Sequence, residues 1–169
     1  MKAVLMSIQP KWCELIASGE KTVEVRKTKP KLEVPFKVYI YETKDKRFEN
    51  IGYCWEKGKA FVHATGKVIG EFVCHEIEDY SKFEYDYYAL LRHIALFAGT
   101  KDYFFLDKYL GGAKGCYAWH ITDLVIYDKP RGLREFKRWV DRSRGQKYHE
   151  DMLYLQRPPQ SWCYVEVTE

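Results

Sequence analysis

Residues 19–26 read Gly19-Glu20-Lys21-Thr22-Val23-Glu24-Val25-Arg26. From Thr22 onward, polar and apolar residues alternate with the period of two that is typical of a strand. Thr22, Glu24 and Arg26 therefore share one predicted face, and the valines occupy the other. In a cleft, Arg26 can hold a phosphate or carboxylate with its planar fork, and Lys21 can supply a point charge. On an open surface, the same residues form only an ion pair.

The chain before this stretch predicts a strand followed by a helix. The apolar run from Ala3 to Ile8 is typical of a short strand. Pro10 suits the first turn of a helix, and Gly19 suits the residue that follows its end. Further strands are predicted at 36–41, 67–76, 117–127 and 162–167, and further helices at 84–98, 101–110 and 133–140.

The order of these elements indicates an α+β domain. Strands and helices do not alternate strictly, so a doubly wound α/β sheet is disfavoured. With 169 residues and a mass of 20.2 kDa, the chain has the size of a single domain.

Composition and charge restrict the location and the partners. No signal peptide and no apolar run of the ~20 residues needed to cross a bilayer are visible, so no membrane association is expected. The five cysteines are scattered without paired spacing, which indicates reduced thiols in the cytoplasm. A net charge of +4 is too small for a dedicated non-specific DNA-binding protein, although a local basic patch is possible. The residues of such a patch are Lys21, Arg26, Lys27, Lys29 and Lys31.

The pattern Gly-x-Lys-x-x-Glu-x-Arg in residues 19–26 resembles the signature of the ASCH domain family. Gly19, Lys21, Glu24 and Arg26 match it position by position. Four other segments extend the resemblance over nearly the whole chain. They are Leu5-Met6-Ser7-Ile8-Gln9-Pro10-Lys11-Trp12, Gly70-Glu71-Phe72, Gly115-Cys116-Tyr117-Ala118-Trp119 and Pro158-Pro159-Gln160-Ser161-Trp162.

The resemblance implies one ASCH domain over residues 1–169, with a small PUA-like closed β-barrel and flanking helices. It also implies a cleft, lined by the signature, that binds RNA or a modified nucleoside or nucleotide. Some relatives resemble ribonucleases, and one branch resembles amidohydrolases that act on N4-acylcytidine, with a lysine as base for a nucleophilic threonine. The position matching that threonine is Glu24 here. Thr22 is the candidate hydroxyl that remains and a candidate ligand-binding residue, but it follows Lys21 directly, and adjacent strand residues point to opposite faces.

The resemblance also suggests residues outside the signature. Glu71 is expected beside the cleft, where it forms a carboxylate pair with Glu24 around Lys21 for acid–base chemistry; otherwise it is a solvent-facing or structural residue. Tyr41 and Trp119 are candidate platforms for an unstacked base, unless they pack in the core. Ser161 is a candidate for reading a base edge.

Two hypotheses from different classes remain open. In the first, the chain is a binding module in which Arg26 and Lys21 engage phosphate and Glu24 either accepts a hydrogen bond from a base or orients Arg26. In the second, it is a hydrolase acting on N4-acylcytidine-type nucleosides or on RNA, with Lys21, Glu24 and Glu71 as the acid–base set. The five histidines show no metal-ligand spacing, so neither a metal nor a cofactor is expected. The sequence does not predict the oligomeric state.

Overall fold

The computed structural model describes residues 1–44, 54–56, 59–61, 66–80, 87–98, 103–111, 115–145 and 148–168. These residues form ten strands and three α-helices. In chain order they are β1 (Lys2–Ile8), α1 (Pro10–Ala17), β2 (Val23–Arg26), β3 (Phe36–Glu42), β4 (Cys54–Glu56), β5 (Lys59–Phe61), β6 (Val68–Cys74), β7 (Ile77–Asp79), α2 (Tyr87–Phe97), α3 (Tyr103–Leu110), β8 (Tyr117–His120), β9 (Thr122–Arg131) and β10 (Trp162–Glu166).

The described strands pair into three sheets. The largest has the order β10-β1-β3-β6-β9, in which only β1 and β3 are parallel. The second has the order β2-β8-β7, and β4 pairs with β5. The prediction of a mixed α+β fold is confirmed, but β9 and β10 are edge strands in this pairing, and closure into a barrel stays a prediction. Within the described residues, no helix has the length and apolar character needed to cross a membrane.

Helix α1 joins β1 to the signature as the sequence predicts. Pro10 occupies its first turn, where a missing backbone N–H costs nothing. Gly19 has a φ of +79°, a left-handed conformation that glycine adopts without a steric penalty. The Lys21 N–H then donates to the Leu15 carbonyl at 2.9 Å, which turns the chain back from the helix into β2.

Apolar clusters cover both faces of the large sheet and one face of the small sheet. The first cluster includes Met6, Ile40 and Trp119, and the third lies on the other face of β1 and β3 with Leu5 and Tyr39. The second cluster packs β2 and β8 against α2 and α3; its buried members are Val23, Val25, Tyr80, Leu91, Ile94, Ala95, Ala98, Leu106, Leu110, Cys116 and Ala118.

The prediction of a helix at 133–140 is wrong. Only Leu133–Glu135 form a 3₁₀ turn. The backbone then extends, with Lys137 bridged to Tyr154 and Arg138 bridged to Val165. Hydrogen bonds from the Trp139 N–H to the Tyr164 carbonyl and from the Glu166 N–H to the Lys137 carbonyl satisfy the outer edge of β10. That tertiary demand outweighs the local helical spacing.

Glu71 offers a test of the large sheet in acid. Burial alone would raise its pKa, but hydrogen bonds from Lys37 (2.6 Å) and Tyr127 (2.5 Å) lower the pKa below its ordinary value. Because the folded-state pKa is depressed, the stabilisation is present above the unfolded pKa and is lost as the pH falls through the folded pKa. We expect Glu71→Gln to lower the free energy of unfolding by up to about 1 kcal/mol at neutral pH.

Urea unfolding at several pH values checks this expectation. The difference between Glu71→Gln and wild type should narrow as the pH falls from about 5 toward about 3. Glu33→Gln, at an exposed position, is the control and should change little. A Glu71→Gln difference that stays constant over this range would contradict the assigned ionic role.

Candidate functional site

Strand β2 is covered on both of its faces, and this positions the charged residues of the signature. Val23 and Val25 pack into the second apolar cluster, as their alternation predicts. The opposite face carries Glu24 and Arg26, and the Arg26 guanidinium reaches the backbone of β1. The polar face of the strand is therefore turned into the protein instead of toward solvent.

Lys21, Glu24 and Arg26 form a buried ionic group, termed here the signature triad. Their exposed fractions are only 4%, 7% and 6%. The Lys21 ammonium lies 3.2 Å from Glu24 Oε2, and Arg26 Nη2 lies 3.1 Å from Glu24 Oε1. A single carboxylate thus lies between two cations, and the triad has a formal charge of +1.

Lys21 also connects the triad to backbone carbonyl groups. Its ammonium donates to the carbonyl oxygens of Val23 at 2.7 Å and of Ala98 at 3.0 Å. With Glu24, these give three oxygen atoms within 3.2 Å of a group that has three N–H donors. Lys21 therefore holds the end of α2 against β2.

Arg26 connects four parts of the chain. Its Nη2 donates to the Ser7 carbonyl at 2.7 Å, and its Nη1 donates to Ser161 Oγ at 3.4 Å. The guanidinium also lies beside the side chain of Tyr109 on α3. Burial raises the pKa of Tyr109, so its hydroxyl keeps its proton at neutral pH.

The triad retains hydrogen-bonding capacity. Among the described residues, Arg26 Nε and Glu24 Oε2 are buried and lack a hydrogen-bond partner. Glu24 Oε2 is close enough to Lys21 for an ion pair but lacks hydrogen-bond geometry. Buried polar groups are normally satisfied, so these two atoms are the part of the triad whose hydrogen-bonding capacity the protein itself leaves unused.

A cavity of about 300 Å³ opens over the triad; it is termed here the signature cavity. Trp12 supplies an aromatic wall from α1, and Tyr109 supplies another from α3. The complete lining comprises Ser7, Ile8, Gln9, Trp12, Lys21, Glu24, Val25, Arg26, Thr43, Ala98, Leu106, Tyr109, Gln160 and Ser161.

Four of the site residues suggested by the sequence meet in this cavity. Lys21, Glu24 and Arg26 line it, and Ser161 joins them from the segment before β10. Thr22 does not line it: its side chain is exposed, and its carbonyl accepts from the Ile121 N–H. Thr22 precedes β2 and does not share the buried position of Glu24.

Glu71 lies away from the signature cavity, which corrects the expected carboxylate pair around Lys21. It stands opposite Tyr39 in the pairing of β6 with β3 and is bound to Lys37 and Tyr127. The preceding Gly70 has a packing role, because an added Cβ would lie 2.4 Å from the Val125 carbonyl oxygen. This part of the family resemblance therefore coincides with close contact between β6 and β9.

The two predicted aromatic platforms are core residues in the structure. Trp119 is fully buried in the first apolar cluster, with an edge contact to Phe36 at 5.7 Å between ring centroids. Tyr41 is buried in the third cluster, and burial raises its pKa. Neither lines the signature cavity, so the expectation that they stack on a base there is corrected.

Trp12 and Tyr109 line the cavity but were not singled out by the sequence. The spacing of Trp12 with Leu15 and Ile16 indicates only the apolar face of α1. Tyr109 similarly reads as part of an amphipathic α3. Neighbouring residues in the sequence do not reveal that an aromatic side chain on such a face lines a cavity, because the cavity depends on where β2 and the segment around Ser161 lie.

In the part of the chain that the structure describes, the other reactive side chains form no comparable site. Burial raises the pKa of Cys74 to about 12 and those of Cys116 and Cys163 to about 11, so these thiols are unreactive at neutral pH. No group of three His, Cys, Asp or Glu side chains is arranged to hold a metal ion within the residues that the structure describes.

Comparisons with known proteins agree with this architecture. A family model described as the ASCH domain matches residues 6–130. The crystal structure of ASCH from Zymomonas mobilis is 20% identical, with a TM-score of 0.60 over 97% of this chain and 87% of that chain. A tyrosine-to-phenylalanine mutant from the same organism is 18% identical, with a TM-score of 0.60 over 98% and 91%. No curated protein sequence matches. At these identities, the structural likeness shows the fold alone.

Proposed function

This chain belongs to the ASCH domain family, and from that premise we propose that it is a binding module for RNA or for a modified nucleoside or nucleotide. The ligand base enters the signature cavity and is oriented by the signature triad. Residues 1–169 act as one domain in this proposal, with the two larger sheets as parts of a PUA-like barrel. Cys13, Cys74, Cys116 and Cys163 are free thiols, which supports a cytoplasmic location.

The observation that carries the proposal is a buried ionic group at an aromatic-walled cavity. Three ionised side chains with exposed fractions below one tenth are costly to desolvate, and hydrophobic residues of similar volume often stabilise a fold equally well. Their concentration at one cavity therefore supports a role in recognition.

The chemistry of the lining favours a flat, polar ring as ligand. Trp12 and Tyr109 provide apolar faces for stacking, and Glu24 and Arg26 provide an acceptor and a donor for a ring edge. Such an edge, with its own donor beside an acceptor, is a property of nucleobases. The volume of about 300 Å³ suits one base or nucleoside instead of a helical duplex.

The hydrolase alternative has one observation in its favour, the 3.2 Å contact between Lys21 and Glu24 beside the cavity. Two observations support binding without turnover instead. Thr22, the suggested hydroxyl, is exposed and outside the lining, and Lys21 is surrounded by three oxygen acceptors. A general base needs a lone pair directed at the proton it removes.

Arg26→Lys tests the proposed site while keeping the positive charge. The substitution removes the planar fork and the Nε donor, so a charge-assisted hydrogen bond of about 1.5–3 kcal/mol to the ligand is lost. We expect the affinity for the best nucleoside ligand to fall roughly 10- to 150-fold. Titration calorimetry with cytidine, N4-acetylcytidine, uridine, adenosine and guanosine provides the measurement.

Arg131→Lys is the control, because Arg131 is partly buried and is likewise bonded to a carboxylate and a hydroxyl, those of Glu135 and Thr168, but on the large sheet. Its affinity should equal that of wild type. Equal affinities for Arg26→Lys and wild type would refute the assignment of the cavity. Turnover of N4-acetylcytidine or labelled RNA by wild type, lost in Lys21→Ala, would replace the binding module with the hydrolase.

A further inference from the structure

The cations of the signature triad are engaged within the protein, apart from Arg26 Nε, which the proposed function assigns to the base. Lys21 contacts two backbone carbonyls and Glu24, and the Nη atoms of Arg26 contact Ser7, Glu24 and Ser161. The phosphates of a nucleic acid belong to its backbone, so their charges lie at a distance from the base that enters a cavity. If a base occupies the signature cavity, the adjoining phosphates lie at the mouth, and the cations that meet them must be exposed.

Two exposed lysines are placed at the aromatic walls of the cavity. The Lys11 ammonium lies 4.2 Å from the centroid of the Trp12 ring, and the Lys27 ammonium lies 5.4 Å from that of Tyr109. Both distances are within the range of cation–π contacts. Each of the two walls thus carries a lysine, and Lys11 and Lys27 are termed here the rim lysines.

Contacts inside the cavity place the two walls at opposite ends of the triad. The Lys21 ammonium lies 5.4 Å from the Trp12 ring centroid, whereas the Arg26 guanidinium lies beside Tyr109. Glu24 connects Lys21 to Arg26. The contacts therefore run from Trp12 through the triad to Tyr109, with one rim lysine at each end.

We propose that the ligand is single-stranded RNA, with one base in the signature cavity and the phosphates on its two sides bound by Lys11 and Lys27. This inference rests on the proposed function and reassigns the phosphate contacts that the sequence suggested for Lys21 and Arg26. The buried cations orient the base, and the rim lysines hold the backbone.

The rest of the basic stretch has a different assignment. Lys29 is bound to Asp79 at 2.9 Å, so its charge is balanced by an acid on β7. The Lys27 ammonium lies 3.8 Å from where a side chain on Gly111 would begin, and this glycine follows the last residue of α3. Lys27 is thus near the C-terminus of α3 as well as near Tyr109, and the negative end of the helix dipole attracts its positive charge to this place.

The test measures salt dependence for the double variant Lys11→Gln, Lys27→Gln. Each phosphate contact on a single strand contributes a slope of about −0.7 to the logarithm of the binding constant against the logarithm of salt concentration. Removal of both lysines should make the slope for a mixed-sequence oligoribonucleotide shallower by about 1.4 between about 50 and 200 mM salt. Affinity for the unphosphorylated nucleoside should be unchanged, which also shows that the variant is folded.

The matched control is Lys129→Gln, Arg134→Gln, which removes two exposed charges outside the cavity lining and should keep the wild-type slope. A rim variant with the wild-type slope, in a protein that still binds nucleoside, would overturn the rim assignment alone. Wild type that binds neither nucleoside nor oligonucleotide would overturn the proposed function itself. Nucleoside binding without any gain in affinity for the oligonucleotide would exclude RNA as the ligand.

Discussion

Replacement of Glu24 by alanine is expected to lower the free energy of unfolding by about 3–5 kcal/mol. Glu24 is the acidic member of the signature triad, and its loss leaves the buried positive charges of Lys21 and Arg26 without the carboxylate that neutralises one of them. Removal of one partner from a buried ion pair destabilises a protein far more than replacement of the whole pair by apolar residues, because the remaining charge stays desolvated and unpaired. This is a large share of the roughly 5–15 kcal/mol that stabilises a typical domain.

Urea unfolding of single and double variants measures this effect and its origin. If the cost arises from the unpaired ammonium, then Lys21→Met should recover part of the stability in the Glu24→Ala background. A coupling free energy of about 0.5–3 kcal/mol is expected from the double-mutant cycle. Glu71→Gln provides the half-buried comparison, with its much smaller cost. A Glu24→Ala protein within about 1 kcal/mol of wild type would mean that water reaches the two cations.

The local pattern predicted the conformation of Gly19 and of Val23–Arg26, but not that of Thr22, which is exposed and precedes β2. Gly19 ends α1 in a left-handed conformation, and β2 separates its valines from Glu24 and Arg26 as period two requires. What the pattern left open was the environment of the polar face. Burial of that face depends on β1, α3 and the segment around Ser161, which are distant in sequence. The sequence of residues 19–26 was therefore equally consistent with an ion pair on an open surface.

The misplaced residues share a physical reason. The alternation of residues along a strand assigns Tyr41 to one face of β3 and Glu71 to one face of β6. It does not predict which face of the large sheet lies next to the signature cavity. Both lie on the Tyr39 side, away from the signature. Trp119 stands opposite Glu24 in the pairing of β8 with β2, but its ring is enclosed by Phe36 and Trp162. A ring whose surface is covered by neighbouring side chains of the core cannot also present a face to a ligand.

Trp119 and Trp12 should therefore differ in what their substitution changes. Trp119→Ala is expected to cost about 3–5 kcal/mol of unfolding free energy, because it empties a fully buried site that holds an indole ring. Trp119→Phe keeps much of the packing and should bind nucleoside with wild-type affinity. Trp12→Leu should have the opposite profile, since Trp12 is only partly buried and lines the cavity.

For Trp12→Leu, the apolar volume on α1 is largely kept and the stability cost should be below about 1.5 kcal/mol. The flat face is lost, and base stacking on an aromatic ring contributes about 1–3 kcal/mol, so nucleoside affinity should fall roughly 5- to 150-fold. Chemical unfolding and calorimetric titration on the same preparations separate the two effects. Weakened binding in Trp119→Phe together with normal binding in Trp12→Leu would return the platform to Trp119, and the base would then have to reach a ring that the first apolar cluster now encloses.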